Sequence, residues 1–172
     1  MKTSEARDFL VNIPSLKNGE HEFHHEIKNS FFERFDGDLV EKGNGKSHLV
    51  LKKSETMMQL AFELDLKVEL ICDRSLEPFQ FPIKENHELI VKFGDHDEEL
   101  SEDLIVINRE TQTFDVAPYL YEFIGLSIPM KKLHPKFEGQ ESPTLVYQTE
   151  TEEETSEEVD PRWEALKKLS NK

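Results

Sequence analysis

The sequence is poor in cysteine and in long apolar segments. Cys72 is the only cysteine, which excludes an internal disulfide and is typical of a reducing compartment. No segment approaches the roughly 20 consecutive apolar residues that a membrane-spanning helix needs. The first five residues lack the apolar stretch of a signal peptide. We therefore expect a cytoplasmic protein without membrane association.

Basic residues are also scarce. The chain has 21 lysines and arginines against 36 aspartates and glutamates, giving a formal net charge of -15 at pH 7. Binding to a nucleic-acid backbone needs clustered lysine and arginine to displace counterions, so this balance disfavours general phosphate binding. It favours a basic partner. The alternative is that the acidity serves only to keep the protein in solution.

Motifs of the common enzyme classes are missing from the sequence. There is no G-x-S-x-G nucleophile turn, no H-E-x-x-H pair and no supported combination of Cys, His and Asn. Residues 43–47 are similar to the end of a phosphate-binding loop, but Val40 stands where its first glycine belongs. Residues 95–99 are acidic but lack the spaced ligands of an EF-hand loop. We expect no enzymatic activity and no cofactor.

Three histidines close in sequence are candidate metal ligands. His21, His24 and His25 could place two imidazoles on one side of a strand, but the sequence offers no third ligand beside them. We interpret them as surface residues of that strand. Cys72, at the end of the next long strand, is interpreted as a small buried hydrophobic residue.

The clearest periodic pattern covers residues 59–72, where apolar and polar residues alternate as in a strand with one buried face. The predicted buried face comprises Leu60, Phe62, Leu64, Leu66, Val68, Leu70 and Cys72. Further strands are predicted over residues 6–13, 20–28, 87–93 and 104–108, with a hairpin turn at 42–45 and antiparallel connections. Residues 29–35 are predicted to form a short helical turn or extended insert that contributes Phe31, Phe32 and Phe35 to the core.

One helix is predicted near the end of the globular region. Asp115 would be its N-cap, Pro118 would lie in its first turn, and Pro129 would end it. We therefore predict an α+β domain over residues 1–138. Its mainly antiparallel sheet, for which barrel-like closure is left open, would pack against the helix at about 115–127.

Beyond the predicted domain the composition changes. Residues 139–159 are rich in Glu and Thr and hold too little apolar surface to fold alone, which predicts a disordered acidic tether. Residues 160–170 then predict a short amphipathic docking helix, with Trp163, Leu166 and Leu169 on one face. This helix would dock either on a partner or on its own domain.

Three motifs carry a family resemblance. They are C-D-R-S-L-E-P-F at residues 72–79, F-D-V-A-P-Y-L-Y-E-F-I-G-L-S-I-P at 114–129 and D-P-R-W at 160–163. Their order and spacing resemble the YceD-like family, also called the large ribosomal RNA subunit accumulation protein family. The resemblance implies a bacterial or plastid factor needed for normal accumulation of large-subunit ribosomal RNA. It also implies a genomic position often beside a small basic ribosomal protein, and no catalytic activity.

The chain departs from the family pattern in its cysteines. Many members carry a second cysteine where this chain has Ser75, and some carry further cysteines where it offers only His134. Cys72 and His134 supply two ligands at most, so we expect no metal site. A metal-dependent hydrolase built on these two residues remains the enzymatic alternative.

Together, charge and resemblance predict a factor for assembly of the large ribosomal subunit. Its partner would be a basic large-subunit ribosomal protein or a pre-ribosomal particle, with ribosomal RNA bound indirectly. Direct binding of precursor ribosomal RNA is the alternative, for which Lys131, Lys132 and Lys136 could form a basic patch. The predicted partner-binding residues are Asp73, Arg74, Glu77 and Glu122 in the domain and Arg162, Trp163 and Leu166 in the tail.

Overall fold

The computed structural model describes residues 8–35 and 39–137. In chain order its elements are β1 (Leu10–Asn12), β2 (Gly19–Ile27), α1 (Asn29–Phe32), β3 (Gly43–Lys53), β4 (Met57–Ile71), β5 (Pro78–Gly94), β6 (Glu98–Ser101), β7 (Leu104–Asn108), β8 (Thr113–Asp115) and α2 (Ala117–Leu126), with 3₁₀ turns at Ile13–Ser15 and Pro135–Phe137. The predicted tether and terminal helix, with Arg162, Trp163 and Leu166, lie outside the described residues. The domain limits therefore stay predictions.

Within the described residues, eight strands form two sheets. The larger sheet has the order β2-β3-β4-β5-β7-β6, and β1 pairs with β8 in a separate two-stranded ribbon. Every pair is antiparallel except β5 with β7. A mostly β domain with one main helix and a mainly antiparallel sheet is thus confirmed.

Barrel-like closure is wrong. Closing a sheet requires its two outer strands to pair. In the described part of the chain, β2 and β6 are the outer strands of the larger sheet and pair only with their inner neighbours. The sheet is therefore open.

The predicted long strand is confirmed as β4. Its even-numbered residues from Met58 to Leu70 are all buried, while most of the residues between them are exposed. Leu60 lies opposite Leu51 of β3 and Leu89 of β5, so three apolar side chains meet on the same face of the sheet. This alternation places the core on one side of the larger sheet.

Helix α2 covers the middle of that buried face, as predicted. The Phe123 ring lies 5.2 Å from the Phe62 ring and 4.4 Å from the His87 ring, centroid to centroid. Pro118 lies in the first turn, and Asp115 Oδ1 accepts the backbone N–H of Ala117 at 3.0 Å. The N-cap position itself falls on Val116, one residue later than predicted.

The predicted hairpin turn at residues 42–45 is wrong, because Gly43 and Gly45 lie within β3. A Cβ on Gly45 would lie 2.3 Å from Leu66 Cα, so the glycine permits close approach of two strands instead of a turn. The chain reverses at residues 54–56. There the Ser54 hydroxyl accepts the N–H of Met57 at 3.1 Å.

Two predictions for the second half of the sheet also need correction. The predicted strand 87–93 is only the second half of a 17-residue strand, β5, which begins at Pro78. Strand β7 pairs with β5 only over Ile90–Gly94, so Pro82 falls where β5 has no second partner among the described residues and its missing N–H costs no ladder hydrogen bond. The loop 95–103 contains β6, and β7 inserts between β5 and β6, which makes the β5–β7 pairing parallel.

The remaining predictions for the first half are mostly confirmed. Residues 20–28 correspond to β2, while the strand predicted at 6–13 is limited to β1 in the described part. Helix α1 buries Phe31 and Phe32, and Phe35 packs against the same core. Among the described residues, no helix combines the length and apolarity that membrane crossing requires.

Candidate functional site

The loop that joins β4 to β5, residues 72–77, is a compact turn with an unusual backbone. Cys72 accepts the N–H of Leu76 at 2.8 Å, and its own N–H donates to Glu77 at 3.0 Å. Leu76 has a φ of 57°, in the left-handed region that costs a residue with a side chain roughly 1 kcal/mol or more. Its side chain is 77% exposed. The turn therefore holds an apolar side chain outward at a conformational cost.

This turn is joined to the segment that follows α2. The N–H of Asp73 donates to the carbonyl of Lys132 at 2.8 Å, and the N–H of Lys132 donates to Asp73 Oδ2 at 2.7 Å. The two residues are 59 positions apart in sequence. Asp73 thus serves as an anchor for residues 131–137.

Charged and aromatic contacts extend the same junction. Lys136 Nζ pairs with Glu77 Oε2, and this ion pair, with the nearby Ser75 side chain, holds the pKa of Glu77 below its usual range. The guanidinium of Arg74 lies 4.7 Å from the centroid of the Phe137 ring. Both Glu77 and Lys136 are partly exposed, so solvent screens the ion pair and its contribution to stability is small.

Cys72 lies beneath the turn and is fully buried, as predicted. Burial opposes ionisation of its thiol. The nearby Ser75 hydroxyl and the backbone N–H groups of His134, Ser75 and Arg74 outweigh this effect and lower the pKa of Cys72 to about 7. The His134 N–H lies 3.3 Å from Cys72 Sγ.

His134 contacts Cys72 through its backbone N–H, while its imidazole ring contacts other residues. Its Nδ1 accepts the N–H of Lys136 at 3.1 Å, and its ring packs 5.6 Å from that of Phe79. Within residues 8–35 and 39–137, neither Cys72 nor His134 belongs to a group of three metal-ligating side chains. The pair, as placed, supports packing of the turn.

The structure therefore brings together three of the predicted partner-binding residues, Asp73, Arg74 and Glu77. Each contacts the segment 131–137, which is not evident from sequence because the two segments are about 60 residues apart. The lysines considered as a basic patch lie in this segment, and two of them, Lys132 and Lys136, meet Asp73 and Glu77.

Glu122, the fourth predicted residue, lies elsewhere, on the exposed side of α2 near an acidic edge of the domain. Partial burial raises the pKa of Tyr119, and the carboxylates of Glu122, Glu99 and Asp97 raise it further. All four residues of the outer strand β6 are exposed. We call Asp97, Glu98, Glu99 and Glu122 the acidic edge.

A second polar cluster lies on the exposed face of β2, β3 and β4. Ligand atoms of Glu22, His24 and His48 all lie within 4.8 Å of one another. The interpretation of the three histidines as surface residues is wrong for His25, which is 4% exposed. The absence of a third ligand beside His24 is also wrong, because the strand register places His48 directly opposite it.

No local motif in the first sixty residues predicts this cluster. His24 and His48 are separated by a helix and a loop, and which residues of two strands face each other depends on the length of the intervening segment. Alternation could have placed each histidine on the polar face of its own strand. It could not have paired them.

These features define a strongly acidic α+β domain in which the β4–β5 turn fixes the segment leading to the C-terminal tail. The chain matches the family described as large ribosomal RNA subunit accumulation protein YceD over residues 60–170, and it belongs to that family. The resemblance seen in the sequence is thereby confirmed. The family description implies a role in the accumulation of large-subunit ribosomal RNA.

Comparison with curated proteins and comparison with solved structures each gave no match. The family match contains the β4–β5 turn, the acidic edge and α2, but begins after β3.

Proposed function

We propose that this protein is a non-enzymatic factor for large-subunit assembly, which supports ribosomal RNA accumulation by binding a basic ribosomal protein. Membership of the family supports a role in the accumulation of large-subunit ribosomal RNA. The net charge of -15 favours a basic partner. Ribosomal proteins are basic, and an acidic surface shields such a partner from premature contact with RNA through complementary electrostatics.

The observation that carries the proposal is the acidic edge. In the described part of the chain, the carboxylates of Glu99 in β6 and Glu122 in α2 both raise the pKa of Tyr119. Two different elements therefore contribute negative charge around the same side chain. Strand β6 is one of the two outer strands of the larger sheet, and all of its side chains are exposed. A basic segment lying along this edge would meet several carboxylates and backbone groups of an open strand.

The β4–β5 turn has a different role in this proposal. It holds residues 131–137 against the domain, shortly before the predicted acidic tether, which begins at residue 139. Leu76 and Met130, 77% and 103% exposed, are apolar side chains next to this junction. We assign the turn to positioning the tail and to contributing a small apolar contact for the partner.

The first test is capture of partners from a lysate of the source cells with the full chain as bait. Basic large-subunit ribosomal proteins should be enriched at moderate salt and released as salt rises, because screening weakens exposed charge pairs. Failure to enrich any ribosomal protein, or binding that does not respond to salt, would contradict the proposal.

A second test locates the binding surface with purified partner. The triple variant Glu98→Gln, Glu99→Gln, Glu122→Gln should lower the association rate about tenfold at low salt. The matched control is Glu55→Gln, Glu85→Gln, Glu88→Gln, which removes the same charge from other exposed positions. Equal losses in the two variants would show that only net charge matters and would remove the acidic edge from the proposal.

The same purified proteins distinguish direct RNA binding from binding through a ribosomal protein. The isolated chain should not retain fragments of precursor ribosomal RNA without a ribosomal protein. Retention that Lys131→Ala and Lys132→Ala abolish would replace the protein-binding proposal with the RNA-binding one.

The tail is tested with its single tryptophan, Trp163. If residues 160–170 dock on the partner, Trp163 emission should shift to the blue when partner is added. Emission that is already blue-shifted and unchanged by partner would show docking on the chain's own domain.

A further inference from the structure

The exposed face of the larger sheet carries a cluster that the proposed function does not use. His24 of β2 faces His48 of β3, and the two imidazole rings stack with centroids 4.5 Å apart. Glu22 lies two residues before His24 on the same face of β2, and its Oε2 is 3.5 Å from His48 Nε2. Two imidazoles and a carboxylate therefore meet from two adjacent strands.

A second carboxylate holds the other side of the His48 ring. Glu63 of β4 lies opposite His48 in the strand register, with its Oε2 3.6 Å from His48 Nδ1. At this separation the carboxylate lies just beyond hydrogen-bond distance of Nδ1 and attracts this side of the ring electrostatically. Carboxylates beside the second ring nitrogen commonly orient histidines that bind metals. The cluster thus draws its side chains from three neighbouring strands, β2, β3 and β4.

The surroundings of His48 Nε2 also favour a metal site. This atom is shielded from solvent and makes no hydrogen bond within the described part of the chain, although Glu22 lies beside it. A shielded nitrogen without a partner is costly, because a hydrogen bond to water has been given up. A bound cation between His48 Nε2 and the Glu22 carboxylate would satisfy both groups.

The distances suit a small cation with few protein ligands. Nitrogen and oxygen ligands bind Zn²⁺ at about 2.0 to 2.2 Å, so they lie roughly 3.3 Å apart around the ion. The three ligand atoms lie within 4.8 Å of one another. The exposed His24 ring must turn out of its stack on His48 before both imidazoles direct a nitrogen lone pair at one ion. The Glu22 side chain is 60% exposed and free to make such a rotation.

We propose that Glu22, His24 and His48 form a binding site for a divalent first-row transition metal, with Zn²⁺ as the representative ion. Glu63 orients His48 and is a positioning residue. Two imidazoles and one carboxylate favour Zn²⁺ and its neighbours over Mg²⁺ or Ca²⁺, which prefer oxygen ligands. The site is independent of the acidic edge and of the β4–β5 turn, so it stands or falls separately from the proposed function.

The test uses the full chain after dialysis against a chelator, titrated with ZnCl₂ in a calorimeter. We expect one saturable site per chain. His48→Gln should abolish saturable binding, and Glu63→Gln should weaken it about 10- to 100-fold, the usual cost of removing a carboxylate that orients a ligand. The matched control is His96→Gln, since His96 Nε2 also pairs with a glutamate, Glu98, at 3.4 Å.

Co²⁺ substitution distinguishes this site from one at Cys72. Binding through Glu22, His24 and His48 should give d–d absorption without a thiolate-to-metal charge-transfer band, and Cys72→Ser should leave the affinity unchanged. Far-UV circular dichroism checks that each variant is folded. If His48→Gln does not fold, His24→Gln replaces it as the variant that removes a metal ligand.

Three results would overturn the proposal. The first is the absence of saturable binding in the unmodified chain. The second is an equal loss in His96→Gln and His48→Gln, which would indicate diffuse attraction to the acidic surface. The third is loss of the site in Cys72→Ser.

Discussion

The β4–β5 hairpin is stabilised in two different ways along its length. In its middle, Leu60, Phe62 and Leu64 alternate with exposed residues, and their burial against α2 and β3 provides the stabilisation. At its closed end, residues 72–77 rely on specific hydrogen bonds and an ion pair to a segment some 60 residues away. Within one strand pair, the middle is stabilised by an alternating apolar pattern, whereas the closed end is stabilised by individual polar contacts.

This difference separates what folds the domain from what positions its tail. Loss of one apolar residue in the middle affects the whole core, since packed interiors relax only partly around a cavity. Loss of one polar contact at the turn should release residues 131–137 while the sheet remains. The following predictions test that separation, from the largest expected effect to the smallest.

Phe62→Ala should destabilise the domain by about 3 to 5 kcal/mol, because Phe62 is 1% exposed and lies beneath Phe123 of α2. The control is Gln59→Ala on the exposed face of the same strand, with an expected change within about 0.5 kcal/mol. Urea unfolding followed by circular dichroism measures both. Similar changes for the two variants would show that the alternation does not define the core.

His25 should make the core sensitive to acid. It is 4% exposed and stacked on Phe9, and its Nδ1 makes no hydrogen bond within the described residues. Burial lowers the pKa of His25 from 6.5, with Asp8 opposing and His24 adding to the shift. Because the folded state resists protonation, this stability is present above pH 6.5 and is lost as the pH falls towards the lower folded pKa.

His25→Phe should remove this part of the pH dependence, with a smaller effect on stability than Phe62→Ala. Urea midpoints of both proteins at pH 7.5 and pH 5 provide the comparison. A variant that loses as much stability on acidification as the unmodified chain would contradict the assignment to His25.

Asp73→Ala should destabilise the turn by about 1 kcal/mol, because Asp73 accepts the N–H of Lys132. Limited proteolysis should then cut within residues 131–137 while the unfolding midpoint moves little. Asp65→Ala is the matched control in the same hairpin, since the Asp65–Lys84 ion pair is mostly exposed and should contribute almost nothing. Equal protease sensitivity in the two variants would argue against the anchor.

Leu76→Gly should stabilise the protein slightly, by less than about 1 kcal/mol, because glycine adopts a φ of 57° without steric cost. The gain is limited by the greater freedom of glycine in the unfolded chain. Leu100→Gly, at another exposed leucine, should instead destabilise the protein. If Leu76→Gly also weakens partner binding, the strained backbone serves to present the leucine.

The middle of the hairpin could be predicted from sequence because alternation with a period of two depends only on neighbouring residues. The bounds of β7 follow from the same alternation, and the presence of α2 follows from Asp115, Pro118 and Pro129, which are also local signals. The glycines at 43 and 45 were misinterpreted because their requirement comes from a remote strand, where Leu66 approaches Gly45. The junction of Asp73 with Lys132 and the facing pair His24 and His48 also depend on remote residues, so no local pattern reveals them.

The pairing of β1 with β8 has a consequence for synthesis of the chain. Strands β2 to β5 can pair in the order in which they leave the ribosome, since each lies beside its predecessor. Residues 10–12, made early, pair with residues 113–115, made near the end of the described region. Until translation reaches those residues, Val11 and Ile13, both buried in the finished fold, lack their partner segment and remain open to chaperones and proteases.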